Sequence, residues 1–437
     1  MLEKFFRLKE NNTNLKTELL AGFTTFMTMA YVIFVNPGIL KNAGIPVEPT
    51  MISTCLVAAL ISIAMGIFTN YPFALAAGMG LNAFLVYSVV IGMKIPWQVG
   101  MGMIFIEGVI IAVLVLTNFR EAIMNAIPMI LKQAIGAGIG LFIVFIGLKD
   151  GGIIVQNPDT IVALGNLKNP GVILAVIGVF ITSLLIAYKV KGSILYGIIL
   201  TTLVGLFIKD TSGNSISAFP ESVITDFSQG VFSTIGQVDI LGALKLGFAA
   251  TIFSFLISDF FDTMGTVISL AGKAKYLDEK GSLPRLKGVL FIDSLGAVFG
   301  GLFCSSSSTM YIESAAGIAE GGRTGLTSIV TGLLFILAIF FAPLVGIVPS
   351  QAVAPALIVV GFLMMSIVLE IDFNSLENGF PAFLTLITIP LTFSISNGIG
   401  IGFISYTIIK LLTGKVKEIH PLMYISSIVF VIDFILR

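Results

Sequence analysis

Charge is scarce in this chain. Only 11% of its 437 residues are Asp, Glu, Lys or Arg, against a hydrophobic share of 56%, whereas charged side chains approach about a quarter of an ordinary soluble domain. That imbalance excludes a water-soluble globule and implies a polytopic membrane protein. The charges present cancel, with 24 basic and 24 acidic residues, so there is no basic surface of the kind that gathers nucleic acid. Histidine occurs once, at His420 in a terminal loop, which rules out a His-centred proton relay and a His-rich metal cluster. The two cysteines, Cys55 and Cys304, both lie in apolar runs, which argues against a disulfide framework. There is no Gly-x-Ser-x-Gly elbow and no Ser and His pairing to suggest an intramembrane hydrolase. Gly78-Met79-Gly80 lacks the Lys and Ser or Thr context of a phosphate loop.

Long apolar runs are what the chain does have. Seven fall at 20–40, 51–70, 74–92, 98–118, 128–148, 171–189 and 192–209, and seven more at 246–271, 285–302, 305–320, 323–343, 352–370, 379–396 and 398–413. Most approach the roughly 20 residues that a spanning helix needs. The implied plan is an all-α membrane protein of fourteen spans. It has an N-terminal segment 1–19, a first half 20–209, a polar connection 210–245, a second half 246–413 and a tail 414–437. A further short apolar run at 421–436 either lies in the interface or spans a thin membrane. Lys4, Arg7, Lys9 and Lys16 precede the first run, but no small-residue cleavage site follows promptly, so that run reads as a retained span.

Lys and Arg bias sets the orientation. The 273–287 connection carries Lys273, Lys275, Lys280, Arg285 and Lys287, while the stretch from Asp210 to Asp239 has four acids and no Lys or Arg. With the N-terminus cytoplasmic, Lys189, Lys191, Arg323, Lys415 and Lys417 fall inside as well. The acidic 370–378 loop also falls inside and fits this topology least well. Seven spans per half is an odd number, so the halves are inverted with respect to one another, a frequent plan in secondary transporters. The third span of each half is anomalous: Tyr71 to Asn82 in the first and Ser305 to Gly317 in the second are rich in Gly, Ala or Ser. Irregular backbone survives at membrane depth only where protein or a cavity surrounds it. Both places are therefore expected to hold an extended stretch followed by a half-helix, with a site between them.

Ionisable residues in such runs cost at least about 2.5 to 3.5 kcal/mol and mark substrate or ion paths by default. Asp262, within Asp259-Phe260-Phe261-Asp262-Thr263-Met264-Gly265-Thr266, and Glu313, after Ser305-Ser306-Ser307-Ser308-Thr309-Met310-Tyr311-Ile312, are the main candidates for substrate and proton binding. The bland alternative is an acid that only accepts bonds from neighbouring backbone or hydroxyls. Asp259, nearly on the same helix face as Asp262, reads as a second ligand or a proton partner. Asn82 offers a donor and an acceptor to a solute, against a helix-capping role. Thr266, one turn after Asp262, lines the pocket or bonds back to its own helix. Glu107 and Asp293 lock helices together or relay protons. The run Gly136, Gly138, Gly140 reads as close packing, and Phe26, Phe84 and Phe261 are stacking candidates whose commoner role is packing.

The segments Phe23 to Tyr31, Gly78 to Ala83, Phe105 to Gly108, Asp259 to Thr266 and Tyr311 to Gly317 resemble the AzgA-like purine permeases of the nucleobase:cation symporter-2 family, over about residues 10–415. The resemblance implies a uracil-permease-like fold of two inverted seven-span repeats with short extended segments in spans three and ten. Spans one to four and eight to eleven would form a core and the remaining spans a gate. It puts nucleobase-binding acids at Asp262 and Glu313 and the polar residue of span three at Asn82. Uracil permeases carry a His where Thr266 stands, which argues for the purine branch. The expected activity is import of guanine, hypoxanthine, adenine or xanthine at the cell membrane by alternating access. No metal or cofactor is expected, the proton gradient supplies the drive, and a homodimer stays open. An anion exchanger of the same architecture would want a cationic or half-helix site rather than two acids. A channel fits inverted halves with broken helices less well than a carrier does.

Overall fold

Apolar runs become helices here because a bilayer offers backbone N–H and C=O groups no partner outside their own turn. The computed structural model describes residues 2–117, 127–220, 222–227, 230–277 and 283–436, and at residues 2, 246, 261 and 436 it describes the backbone alone. The first half contains α1 (Leu15–Met29), α2 (Val32–Leu40), α3 (Val47–Thr69), β1 (Leu75–Ala77), α4 (Met79–Gly92), α5 (Trp97–Leu116), α6 (Met129–Asp150), α7 (Pro170–Ala187) and α8 (Ser193–Gly205). Between α6 and α7 runs an antiparallel hairpin, β2 (Ile154–Asn157) with β3 (Ile161–Leu164). The second half contains α9 (Ala249–Ala274), α10 (Leu286–Leu302), β4 (Ser308–Met310), α11 (Ser314–Ala319), α12 (Gly325–Ile339), α13 (Ser350–Met365), α14 (Leu376–Leu391) and α15 (Ile395–Leu412). The tail forms α16 (Pro421–Leu436). Each of the fourteen apolar runs carries at least one helix. Among the described residues 8 helical segments are long and apolar enough to cross a membrane, α1 and α2 counting as one; α4, α8, α12, α14 and α16 are shorter.

Small residues set the crossings, as expected where helices gain little from hydrophobicity against lipid. Gly66 of α3 and Gly325 of α12 press backbone against backbone, as do Gly140 of α6 and Gly361 of α13, and Gly108 of α5 lies against Ala297 and Val298 of α10. The close-packing reading of the Gly136 to Gly140 run therefore holds at Gly140, and at Gly138, which faces Ile389.

Loop contacts sort the helix ends. Arg285 donates to the Thr69 carbonyl at 2.8 Å and Lys287 to the Leu116 carbonyl at 2.9 Å, so the basic connection after α9 lies at the same end as the C-termini of α3 and α5; residues 278–282, including Lys280, lie outside the described residues. Glu377 of the acidic 370–378 loop meets Lys415 at 2.7 Å and Lys410 at 3.2 Å. Its charge is thus answered by Lys410 in the last turn of α15 and by Lys415 just beyond it. His420 accepts from the Leu422 amide at 3.2 Å, an end-capping role for α16.

Candidate functional site

The chain breaks its helices at two places, 71–78 and 305–313, and those two places meet. β1 pairs antiparallel with β4, with Leu75 opposite Met310, Ala76 opposite Thr309 and Ala77 opposite Ser308. The ladder is extended by Gly78 N to the Ser307 carbonyl at 2.9 Å and Tyr311 N to the Ala74 carbonyl at 3.0 Å. Backbone groups beyond the ladder are met by side chains. Ser62 Oγ of α3 binds both the N–H (2.9 Å) and the C=O (3.1 Å) of Leu75. Ser314 Oγ accepts from Ala74 N at 3.0 Å, Ser328 Oγ of α12 reaches the carbonyls of Tyr71 and Phe73 at 2.9 Å each, and Tyr311 OH donates to the Ala77 carbonyl at 2.6 Å. The hydroxyl-rich sequence around both breaks thus does what water would do for a soluble loop. Each break is then followed by a helix, α4 after β1 and α11 after β4, which is the extended stretch and half-helix expected from composition.

The carboxylates flank this crossover. Asp262, half-buried on α9, accepts from Thr309 Oγ1 on β4 at 3.0 Å. Glu313, half-buried just before α11, accepts from Tyr31 OH at 2.8 Å, and the Tyr31 and Tyr311 rings lie 6.2 Å apart, tilted. Asn82 on α4 is fully buried and donates through Nδ2 to Asn36 Oδ1 at 2.6 Å. Its backbone N–H goes to the Gly78 carbonyl at 2.9 Å. Asp262 and Glu313 therefore come to β4 from α9 and from the head of α11, while Asn82 comes to the β1 side. The hydroxyls of Ser305, Ser306 and Ser307, all buried, have no hydrogen-bond partner among the described residues. No group of three or more His, Cys, Asp or Glu able to hold a metal occurs among the described residues.

Thr266 is nearly buried one turn beyond Asp262, and the intervening Gly265 has open space where a side chain would stand. Asp259 is buried on the same helix. Asp293 of α10 accepts from Thr263 Oγ1 of α9 at 2.7 Å and so ties two helices, the structural role weighed for it; Glu107 is buried on α5. Phe84 packs against Phe255 with ring centroids 4.4 Å apart, and Phe26 against Phe335 at 5.1 Å, both packing contacts. The Phe261 side chain lies outside the described residues.

Three residues were missed by sequence reading. Tyr31 is quoted in a motif above, but nothing in one dimension says that it reaches Glu313. Asn36 is an amide inside the first apolar run, and that isolation was a usable signal. Glu18 sits before the first run, yet α1 begins at Leu15 and Glu18 is fully buried, accepting from Arg323 N at 2.8 Å, Thr327 N at 3.2 Å and Thr327 Oγ1 at 2.6 Å at the start of α12.

Broken helices paired through short strands, with acids facing the pairing inside an apolar bundle, define a multi-pass membrane transporter. The chain shares its fold with the transmembrane domain of a cyanobacterium bicarbonate transporter BicA, at a TM-score of 0.62 and 13% identity over 88% of this chain and 97% of that one. A Permease family model, that of the Xan_ur_permease group, matches residues 16–401, and the chain belongs to that nucleobase:cation symporter-2 family. It is 44% identical to the adenine permease AdeP of Escherichia coli over 100% of this chain and 96% of that protein. It is 41% identical to the guanine/hypoxanthine permease PbuG of Bacillus subtilis over 99% of each. These relatives are permeases, and the chain is a transporter rather than an enzyme.

Proposed function

We propose that this chain imports purine nucleobases across the cell membrane together with protons, by alternating access. The observation that carries the reading is the meeting of Asp262 and Glu313 at the β1–β4 crossover, one bonded to Thr309 and the other to Tyr31. A carboxylate accepts two parallel N–H bonds, which suits the ring and exocyclic N–H groups of guanine, and the names of the relatives fit guanine, hypoxanthine or adenine. In this reading Asp262, Glu313, Asn82 and Thr266 bind the base. Glu313, Asp262 and Asp259 take part in proton coupling. Protonation from outside neutralises the site, the loaded core moves against the gate, and release of base and proton inside resets it.

Fourteen spans in two inverted repeats of seven belong to the same proposal, with spans one to four and eight to eleven as core. The packing partners support it. α3 against α12 and α5 against α10 are exchanged when each span is replaced by the one seven further on, and α6 against α13 maps onto itself. Polar ties join core to gate at both ends. At one end Tyr87 OH donates to Asp150 Oδ2 at 2.8 Å and Asn42 donates to Tyr87 OH at 3.0 Å; at the other Lys191 pairs with Glu320. With the N-terminus in the cytoplasm the second end is internal.

The test is uptake of radiolabelled hypoxanthine, guanine, adenine, uracil and sulfate into cells lacking their own purine transport, with and without a protonophore. Purine uptake that collapses with the proton gradient is the expected result. Glu313→Gln is expected to abolish it at normal membrane abundance, and undiminished uptake by that variant overturns the assignment.

A further inference from the structure

The Asn36 side chain is wholly buried in α2, and its amide nitrogen donates twice, to Thr54 Oγ1 at 2.8 Å and to the Ser305 carbonyl at 3.0 Å. Neither bond can be read in the other direction. A carbonyl only accepts, and the Thr54 hydroxyl proton is already committed to the Thr50 carbonyl at 2.6 Å. The nitrogen of Asn36 is therefore held on that side, and its oxygen is left facing Asn82. Asn82 must answer with its own nitrogen, at 2.6 Å. What remains of Asn82 is the second N–H of its amide and its Oδ1, and the oxygen of this fully buried side chain has no hydrogen-bond partner among the described residues. The order of donors and acceptors thus runs in one sense from Thr50 to Asn82, fixed by which atoms carry hydrogens.

An unrestrained amide turns over to suit whatever faces it. Turned over here, Asn82 would set its oxygen against the Asn36 oxygen, two acceptors with no proton between them. We infer that Asn36 is a positioning residue that fixes Asn82 with its carbonyl oxygen toward the transported base, so that Asn82 discriminates between 6-oxo and 6-amino purines. The inference rests on the purine reading above. Its chemical basis is that the two classes carry opposite patterns on one edge: a 6-oxo purine has N1–H beside an acceptor oxygen, and a 6-amino purine has a bare N1 beside an N–H donor. Facing a base that the two carboxylates hold in one register, an acceptor locked opposite one of these positions meets a hydrogen in one class and a lone pair in the other, whereas a free amide turns over and accommodates both.

The experiment measures inhibition constants of unlabelled hypoxanthine and adenine against uptake of whichever labelled base the wild-type chain takes up faster. It compares wild type, Asn36→Ala, Asn82→Ala and the double variant, each normalised to membrane abundance. The wild-type ratio of the two constants is expected to lie about tenfold or more from one. Asn36→Ala should bring it toward one by about that factor, and the double variant should match Asn82→Ala. Thr54→Val keeps volume and removes only one anchor of the Asn36 amide, so it reports a partial shift even where Asn36→Ala does not accumulate. An unselective wild type, or an unchanged ratio in both Asn36→Ala and Thr54→Val, overturns the inference. Absence of purine uptake by wild type, with a different solute taken up, overturns instead the reading on which it rests.

Discussion

Tyr31 sits in the turn between α1 and α2 and brings its hydroxyl to Glu313, a carboxylate nearly three hundred residues further along the chain. A hydrogen bond to a charged group contributes roughly 1.5 to 3 kcal/mol. Tyr31→Phe removes that bond and leaves the ring in place, so uptake is expected to fall about tenfold while the amount of protein in the membrane stays constant; a transport assay paired with quantitative immunoblotting checks both halves of the statement. Gly78 shows how the opposite acid is held. A methyl group there would stand 3.1 Å from Thr309 Oγ1 and 3.4 Å from its Cγ2. Thr309 is the residue that bonds Asp262, so Gly78→Ala is expected to displace that hydroxyl and weaken uptake more than it weakens the fold, read as a loss of transport larger than any fall in melting temperature.

The two broken segments are the elements on which everything else converges, and their backbone is served by individual hydroxyls. Ser62 alone satisfies both the N–H and the C=O of Leu75. Ser62→Ala leaves two buried polar groups unmatched at about 1 to 3 kcal/mol each, and a lowered melting temperature in detergent is the expected signature. The existence of these segments was legible in the sequence, because Gly, Ala, Ser and Pro gather in otherwise apolar runs. The pairing of the segments was not, since the register of Ala76 against Thr309 depends on how α3, α9 and α12 bring the strands together rather than on any local pattern. The β2–β3 hairpin was likewise unread, its turn being held by Asn157 Oδ1, which accepts from Asp159 N at 2.8 Å and Thr160 N at 3.0 Å. Asp262, Glu313 and Asn82 stood out because polar side chains are costly in such runs. Asn36 carries the same cost and was passed over for want of a neighbouring motif, and Glu18 was hidden by its place outside the run.

Across the whole molecule the tight pairs α3 with α12 and α5 with α10 join the first half of the chain to the second. The polar connection between the halves has an exposed turn at Gly213, where φ is 86° and no neighbouring atom lies within 4 Å of the space a side chain would fill. Cutting the chain there is expected to give two fragments that transport only when expressed together, checked by uptake with each fragment alone and with both. The cause is visible at Ala74, whose N–H is satisfied by Ser314, 240 residues later. During synthesis the ribosome delivers the first extended segment to the bilayer long before its partner exists. Until translation reaches β4 and α12, that segment has to be sheltered by the insertion machinery or held at the aqueous interface, because bare backbone in lipid costs several kcal/mol per group. The β1–β4 crossover consequently cannot form until the second half has been made, and the first half is the nascent species most dependent on protection.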